Sequence, residues 1–419
     1  MRIILWILFW FLYVPLIRLV VLFLFWNSKM EERERFEKRN KFEALAHSFS
    51  EKGIVADLCF EFSSEGEYQQ VAPLVDDALK AGKKVELVFF SPSVEKAIMK
   101  LAQQYPRQIR YLRYPFVRIF PFMGRRSFTH WMTSKTLIMV RYDLFPEFLL
   151  WAMKPGNELK IIWMTFKKER TSGKGPSWWK KLFLKSASSV VYAVSSDEQT
   201  GSTLGVKGGI FDFRAEQIKR RILLKDEKFK NSFPLYPEFK SHVQSFSKAI
   251  ILGNAWPDDL FLLKDVPGDV LVVVVPHQLS HDILNSMSAS LTEQGREVFE
   301  VHDLTREFKK TNAIIINKKG ILCELYADFD HAYVGGGFGS SIHSVLEPLV
   351  AGSRKISCGP RHFRSTEYDL ALEMGRMTEV NTPEQFTHWL NKHDKKTEHD
   401  KMNSLLDGYE KMRELVISC

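Results

Sequence analysis

The sequence predicts two α/β domains of the doubly wound, Rossmann-like kind behind an N-terminal apolar helix, and three observations predict it. Continuous Val, Ile and Leu runs without polar alternation recur from about residue 53, each followed by a helical stretch, as in parallel strands covered on both faces. The pattern lapses in a charged, proline-dotted stretch and then restarts. At 419 residues the chain also exceeds one ordinary core.

Taken in order, Ile3 to Trp26 is apolar except for Pro15 and Arg18. At about 1.5 Å per residue it is long enough to cross a hydrocarbon core of about 30 Å. No small-residue cleavage site follows, so it reads as an anchor. Arg18 leaves two geometries open: spanning, with the arginine snorkelling, or lying in the interface. The Lys- and Arg-rich flank after Lys29 predicts that the body of the protein is cytoplasmic.

Strands are expected at 54–60, 84–90, 136–140, 159–164 and 189–194, with the clearest helices at 66–81 and 92–104. After the break come strands at 249–252, 269–275, 313–316, 331–335 and 354–358. The resulting domains are an anchor at 1–28, a Rossmann-like domain at 29–220, a connection at 221–247, a second Rossmann-like domain at 248–399 and a terminal helix at 400–419. Two such domains in tandem, with an interdomain cleft, are the layout of the GT-B type glycosyltransferases, by analogy of architecture alone.

The most informative stretch runs from Asp330 to Pro348. A strand enters the turn Gly335-Gly336-Gly337, and a helix is expected from about His343. Glycines let backbone approach an anion, a helix start offers free N–H groups, and Glu347, one turn in, can accept from ribose hydroxyls. Gly335, Gly336, Gly337, His343, Ser344 and Glu347 are therefore candidate nucleotide-binding residues, although a plain tight turn would look similar.

Charge adds a second theme. The net charge of +9 fits anionic lipid or nucleic acid. Between Glu95 and Asp143 there is no acidic residue, while Arg107, Arg110, Arg113, Arg118, Arg125 and Arg126 interleave with aromatics. That mixture suits a headgroup surface, a packed or solvated face, or single-stranded nucleic acid. The anchor in the same chain favours lipid, and no nucleic acid is expected. A second basic run lies between Lys160 and Lys185. Four scattered cysteines fit a reducing compartment and no structural zinc.

Several short motifs carry a resemblance. These are Tyr13-Val14-Pro15-Leu16-Ile17, Glu34-Arg35-Phe36, Ser63-Ser64-Glu65-Gly66-Glu67, Asp143-Leu144-Phe145-Pro146 and Gly320-Ile321-Leu322-Cys323-Glu324-Leu325. The glycine turn, His343 with Leu346-Glu347-Pro348, and Gly359-Pro360 with Phe363 and Glu367 complete it. Over nearly its whole length the chain resembles the 3-deoxy-D-manno-octulosonic acid (Kdo) transferases, bacterial enzymes that add Kdo to the lipid A precursor. The resemblance implies inverting transfer from CMP-Kdo at the cytoplasmic face of the inner membrane, without metal or other cofactor. Glu67 would be the general base and Asp143 a second acid near the reacting centre. Read without the resemblance, Glu67 is equally a helix-dipole partner, Asp143 an N-cap and His343 a helix-start hydrogen bonder.

The chain also departs from the family pattern. Arg141-Tyr142-Asp143 stands in place of Glu-Thr-Glu. Pro276-His277-Gln278-Leu279 stands in place of a Pro-Arg-His-Pro turn, so His277, a weaker and titratable cation, is the candidate replacement for an arginine. Met164-Thr165-Phe166, Gly208-Gly209-Ile210-Phe211 and His343-Ser344 also replace more polar family residues. A different sugar nucleotide, or a catalytically inactive glycolipid-binding homologue, are the alternative readings.

Overall fold

The computed structural model describes residues 31, 32, 35, 46, 47, 49, 53–114, 131–140, 145–163, 178–192, 208–225, 227–302, 305, 307–363, 365–392 and 408–417. The expected anchor lies outside them; among the described residues no helix is long and apolar enough to cross a membrane. Described residues below 164, between 174 and 210 and from 410 onward form one compact unit, and those from 211 to 409 form a second.

The first unit is built on eight strands: β1 (Ala46–His47), β2 (Leu58–Phe62), β3 (Val85–Phe89), β4 (Ile109–Arg113), β5 (Thr136–Val140), β6 (Glu158–Trp163), β7 (Ser189–Tyr192) and β8 (Gly208–Ile210). Their order is β1-β4-β3-β2-β5-β6-β7-β8. All neighbours are parallel except β1 on β4. β2, β3 and β5 are buried at every position, which is why their sequences show no alternation. The helix Pro92–Gln104 shows how the covering layer forms. Ser91 caps it by accepting from the Ser93 N–H at 3.2 Å, Pro92 supplies a preset φ at the first position, and Val94, Ile98 and Ala102 recur every fourth residue on its buried face.

The second unit carries β9 (Ala249–Ala255), β10 (Leu271–Pro276), β11 (Val298–Val301), β12 (Ala313–Ile316), β13 (His331–Val334), β14 (Lys355–Cys358) and β15 (Met377–Glu379). The sheet is wholly parallel, in the order β11-β12-β10-β9-β13-β14-β15. Successive residues serve opposite faces: Ile250, Leu252, Val272 and Val274 pack with Leu284, Met287, Phe386 and Trp389. Ile251, Leu271, Val273 and Val275 pack with Phe229, Phe233, Phe239 and Val243.

That second cluster corrects the expected connection at 221–247. The segment forms the last turn of the helix Phe213–Leu224 together with the helices Glu227–Ser232 and Tyr236–Ser245, and its aromatics fill one face of the second sheet. Each buried Phe contributes about 2–3 kcal/mol. The helices are short and broken near Pro234 and Pro237, which hides their periodicity among charges. The terminal helix is described over Tyr409–Ile417 and packs on the first unit: Met412 lies against Gly209 of β8, and Lys83 Nζ donates to the Ile417 carbonyl at 3.2 Å.

Both sheets reverse direction beside a central strand, between β2 and β5 in one and between β9 and β13 in the other. In open α/β sheets the crevice at the carboxyl ends of such strands is where ligands bind.

Candidate functional site

At the second reversal the loops after β9, β10 and β13 converge. The glycines predicted there are explained by packing. A Cβ on Gly335 would meet the Asn254 carbonyl oxygen at 2.3 Å, and one on Gly337 would meet Gly359 backbone at 2.6 Å. Gly336 sits at φ +92°, in the left-handed region. Asp259, fully buried and absent from the sequence reading, holds the loop. Its Oδ2 accepts from the N–H groups of Gly336 at 3.1 Å and Trp256 at 2.8 Å, and its Oδ1 accepts from the Tyr333 hydroxyl at 2.7 Å. Burial pushes the Asp259 carboxyl up, against the pull of these three donors. Trp256-Pro257-Asp258-Asp259 reads as a turn, so the only signal in the sequence was an acid three residues after a turn-opening Trp.

Two N–H groups of the loop are thereby committed: Gly335 N–H donates to the Gly253 carbonyl at 2.9 Å, and Gly336 N–H to Asp259. The expected helix start at His343 is also corrected. The helix runs only over Leu346–Ala351, with Pro348 in its first turn and Gly352 at φ +97° ending it. Six residues offer no extended dipole to an anion. Gly335 and Gly336 form a closely packed floor at this loop.

What stands on that floor is a row of rings. His343, after β13, stacks on His277, after β10, with centroids 4.1 Å apart and planes 24° apart. Trp256, after β9, lies 5.1 Å from His277 on the same row. The His343 ring also lies above Gly336, where a Cβ would come within 3.3 Å of its Cδ2. Burial, then the neighbouring His277, push the His343 imidazole down to about 4. His277 is exposed and Ser344 is partly buried.

Glu347 is partly buried near a set of acids and arginines. Burial raises its carboxyl; Arg221 pulls it down, Glu324 pushes it up, Arg214 pulls down and Glu367 pushes up. Arg221 grips Glu324 with two bonds of 2.9 Å, and Arg214 joins Asp212 to Glu367, the latter at 2.7 Å. These ion pairs dock the helix Phe213–Leu224 onto the elements around Glu347.

In the first unit Glu67 lies where the chain leaves β2, beside the reversal. It is 8% exposed, and its Oε2 accepts from the Ser63 N–H at 2.5 Å. Ser64, the capping residue of the helix Glu65–Lys80, makes no side-chain cap, so Glu67 satisfies the helix start from within. Asp143, which would approach from β5, lies outside the described residues, as do Arg118, Arg125 and Arg126.

The described arginines of the basic stretch do not form an open patch. Arg110, on β4, pairs with fully buried Glu86 on β3, with Nε 2.9 Å from Oε1, and stacks on Trp131 at 4.4 Å. Glu86 also accepts from the Thr133 N–H and hydroxyl, both at 2.8 Å, and the Ser134 N–H at 3.1 Å. Arg113, 3% exposed, faces Glu95 at 3.4 Å. Arg107 is exposed. The acids that pair Arg110 and Arg113 come from before the acid-free stretch, brought alongside by the parallel pairing of β3 with β4 and by the helix between them.

No family model matches the chain. It is similar to the 3-deoxy-D-manno-octulosonic acid transferases of Chlamydia trachomatis serovars A and D, each 28% identical over 117 residues. That alignment covers 26% of this chain and 26% of each relative. Among solved structures, a UDP-GlcNAc 2-epimerase from Neisseria meningitidis aligns over 86% of this chain and 94% of its own, at 12% identity and a TM-score of 0.52, a likeness of fold alone. The C-terminal CMP-Kdo binding domain of WaaA from Acinetobacter baumannii covers 45% of this chain and 93% of its own, at 16% identity, and its TM-score of 0.31 carries no weight. The Kdo transferase resemblance read from the sequence is borne out over that quarter of the chain, and the two parallel-sheet α/β units agree with a GT-B type fold.

Proposed function

We propose that this chain is a glycosyltransferase of the Kdo transferase kind, transferring Kdo from CMP-Kdo to a lipid A precursor at the cytoplasmic face of a bacterial inner membrane. The observation that carries the reading is the convergence of three carboxyl-end loops, bearing Trp256, His277 and His343, at the reversal of a parallel sheet in a Kdo transferase-like chain. Residues 1–28 would anchor it, and membrane lipid would lie beside the acceptor.

The acceptor hydroxyl attacks the anomeric carbon of Kdo as the bond to the CMP phosphate breaks, inverting that centre. Glu67 receives the hydroxyl proton, its carboxylate held by the Ser63 N–H through Oε2. Asp143 is the second acid of this reaction, Glu347 receives the ribose, and no metal or other cofactor takes part. The departing phosphate needs a cation or donors, a role considered for the imidazole pair below.

The histidine at position 277, where the family pattern has arginine, favours a second reading in which the same fold uses another sugar nucleotide. Mass spectrometry of lipid IVA incubated with the detergent-held protein and freshly generated CMP-Kdo tests the first reading. A Kdo mass increment is expected. Its absence, with another nucleotide raising the melting temperature, would shift the assignment to that donor. Glycolipid binding with no nucleotide binding would identify an inactive homologue.

A further inference from the structure

Two features of the second unit remove some of the usual agents of phosphate recognition. The N–H groups of Gly335 and Gly336 are already bonded within the protein, and the helix after the loop is only six residues long. At the same point two imidazoles stack, and among the described residues their ring nitrogens have no hydrogen-bond or ion-pair partner. Buried polar groups seldom lack partners, and a half-buried imidazole beside an exposed one, at a sheet reversal, offers donors to a ligand.

We propose that His277 and His343 act as one phosphate-recognition unit that takes up a single proton when a phosphate ester binds. This rests on reading the site as one for a phosphate ester of a nucleotide. One proton for two rings follows from their spacing: two charges with centroids 4.1 Å apart repel, so the pair holds a single proton while the other ring stays neutral and donates through its own N–H. An arginine at position 277 would carry its charge permanently; this pair is charged by its ligand.

The surrounding charges do not supply that proton. Asp259 is turned onto Gly336, Trp256 and Tyr333, and His281 is engaged by Asn285 at 3.0 Å. Arg361 donates to the Gly339 carbonyl, and the ionisable groups that act on Glu347 are Arg221, Glu324, Arg214 and Glu367. Burial first, and then His277 alone among the described residues, push the His343 imidazole down to about 4.

The test uses two anions whose charge does not change near neutrality, cytidine 5′-methyl phosphate and inorganic sulfate. Calorimetry and thermal shift on the full chain are run at constant ionic strength. Native affinity for the diester should weaken about tenfold between pH 6 and pH 8. Calorimetry in buffers of different ionisation enthalpy should show net proton uptake. His277→Gln should abolish the pH dependence, and His277→Arg should bind at pH 8 as tightly as the native chain does at pH 6. His343→Gln removes one of the two donors and should weaken binding at pH 6 without abolishing the pH dependence; if it fails to fold, the exposed His277 variants decide. Diester binding that is equally tight at both pH values and indifferent to His277→Gln would overturn the proposal while the nucleotide site stood. Sulfate binding with this pH and histidine dependence, but no added affinity for the nucleoside, would keep the proposal's anion chemistry and overturn the nucleotide reading. No binding of either probe at pH 6 would overturn both.

Discussion

Asp259 and Tyr333 meet inside the second unit, hydroxyl to carboxylate at 2.7 Å, and through them the loop after β13 is tied to the loop after β9. Asp259→Ala leaves the Tyr333 hydroxyl and two N–H groups buried without an acceptor. A loss of about 3 kcal/mol or more is expected by denaturant titration. Tyr333→Phe removes only one donor and should cost about 1–2 kcal/mol. Equal losses for the two would show that Asp259 does not organise the loop.

The glycine loop predicts a contrast within a few residues. Gly335→Ala places a Cβ 2.3 Å from backbone that cannot yield, whereas at Gly339 the nearest atom is an ordinary 3.5 Å away. The first should lower stability by about 1–3 kcal/mol and weaken nucleotide binding, and the second should be near neutral. Melting curves of the two variants, with and without CMP, measure both effects.

Arg110 and Glu86 are expected to behave as a buried pair. Glu86→Ala strands the guanidinium and three other donors, and should cost about 3–5 kcal/mol. Co-sedimentation with anionic vesicles checks the other side: Arg110→Met with Glu86→Leu, if folded, should bind lipid like the native chain. A clear fall in lipid binding would return Arg110 to a headgroup role.

Without ligand, the buried His343 should make the protein less stable in acid. Its folded value, about 4, lies below the ordinary 6.5, so its contribution is complete above about pH 6.5 and is lost as pH falls towards 4. His343→Gln should flatten that part of the stability curve relative to the native chain. An unchanged curve would show that the imidazole titrates freely in the folded state.

For Glu67, the amide of Glu67→Gln still accepts from the Ser63 N–H, so the fold should persist while transfer falls by about 10²–10⁴. Glu67→Ala should in addition cost about 1 kcal/mol by losing the bond at the helix start. Full turnover in the Gln variant, measured on lipid IVA, would assign Glu67 to structure alone.

The parts legible in the sequence were those whose pattern is local. Thr136–Val140, Ala313–Ile316 and the helix Pro92–Gln104 stand at their expected bounds, because uniform burial and a capped amphipathic face write themselves directly into residue order. β4 was missed because Ile109-Arg110-Tyr111-Leu112-Arg113 resembles a basic surface; its role depends on Glu86, 24 residues back. The short strands β11 and β15 carry acids, partly buried Glu300 in the first and exposed Glu379 in the second, which mask them. At the candidate site the glycines were legible but their purpose was not. Whether a glycine faces a ligand or a neighbouring backbone is decided by Asn254 and Gly359, which are remote in sequence.

The return of Tyr409–Ile417 to β8 has a consequence for biosynthesis. Domains generally fold as units during synthesis, the N-terminal one first. Here the earlier-made sheet cannot acquire the helix Tyr409–Ile417 until those residues have left the ribosome. The second unit, spanning 211 to 409, is complete in the nascent chain while the first still waits for Met412 to cover Gly209. A stop codon directly after Tyr409 would leave the later-made unit whole and injure the one made first.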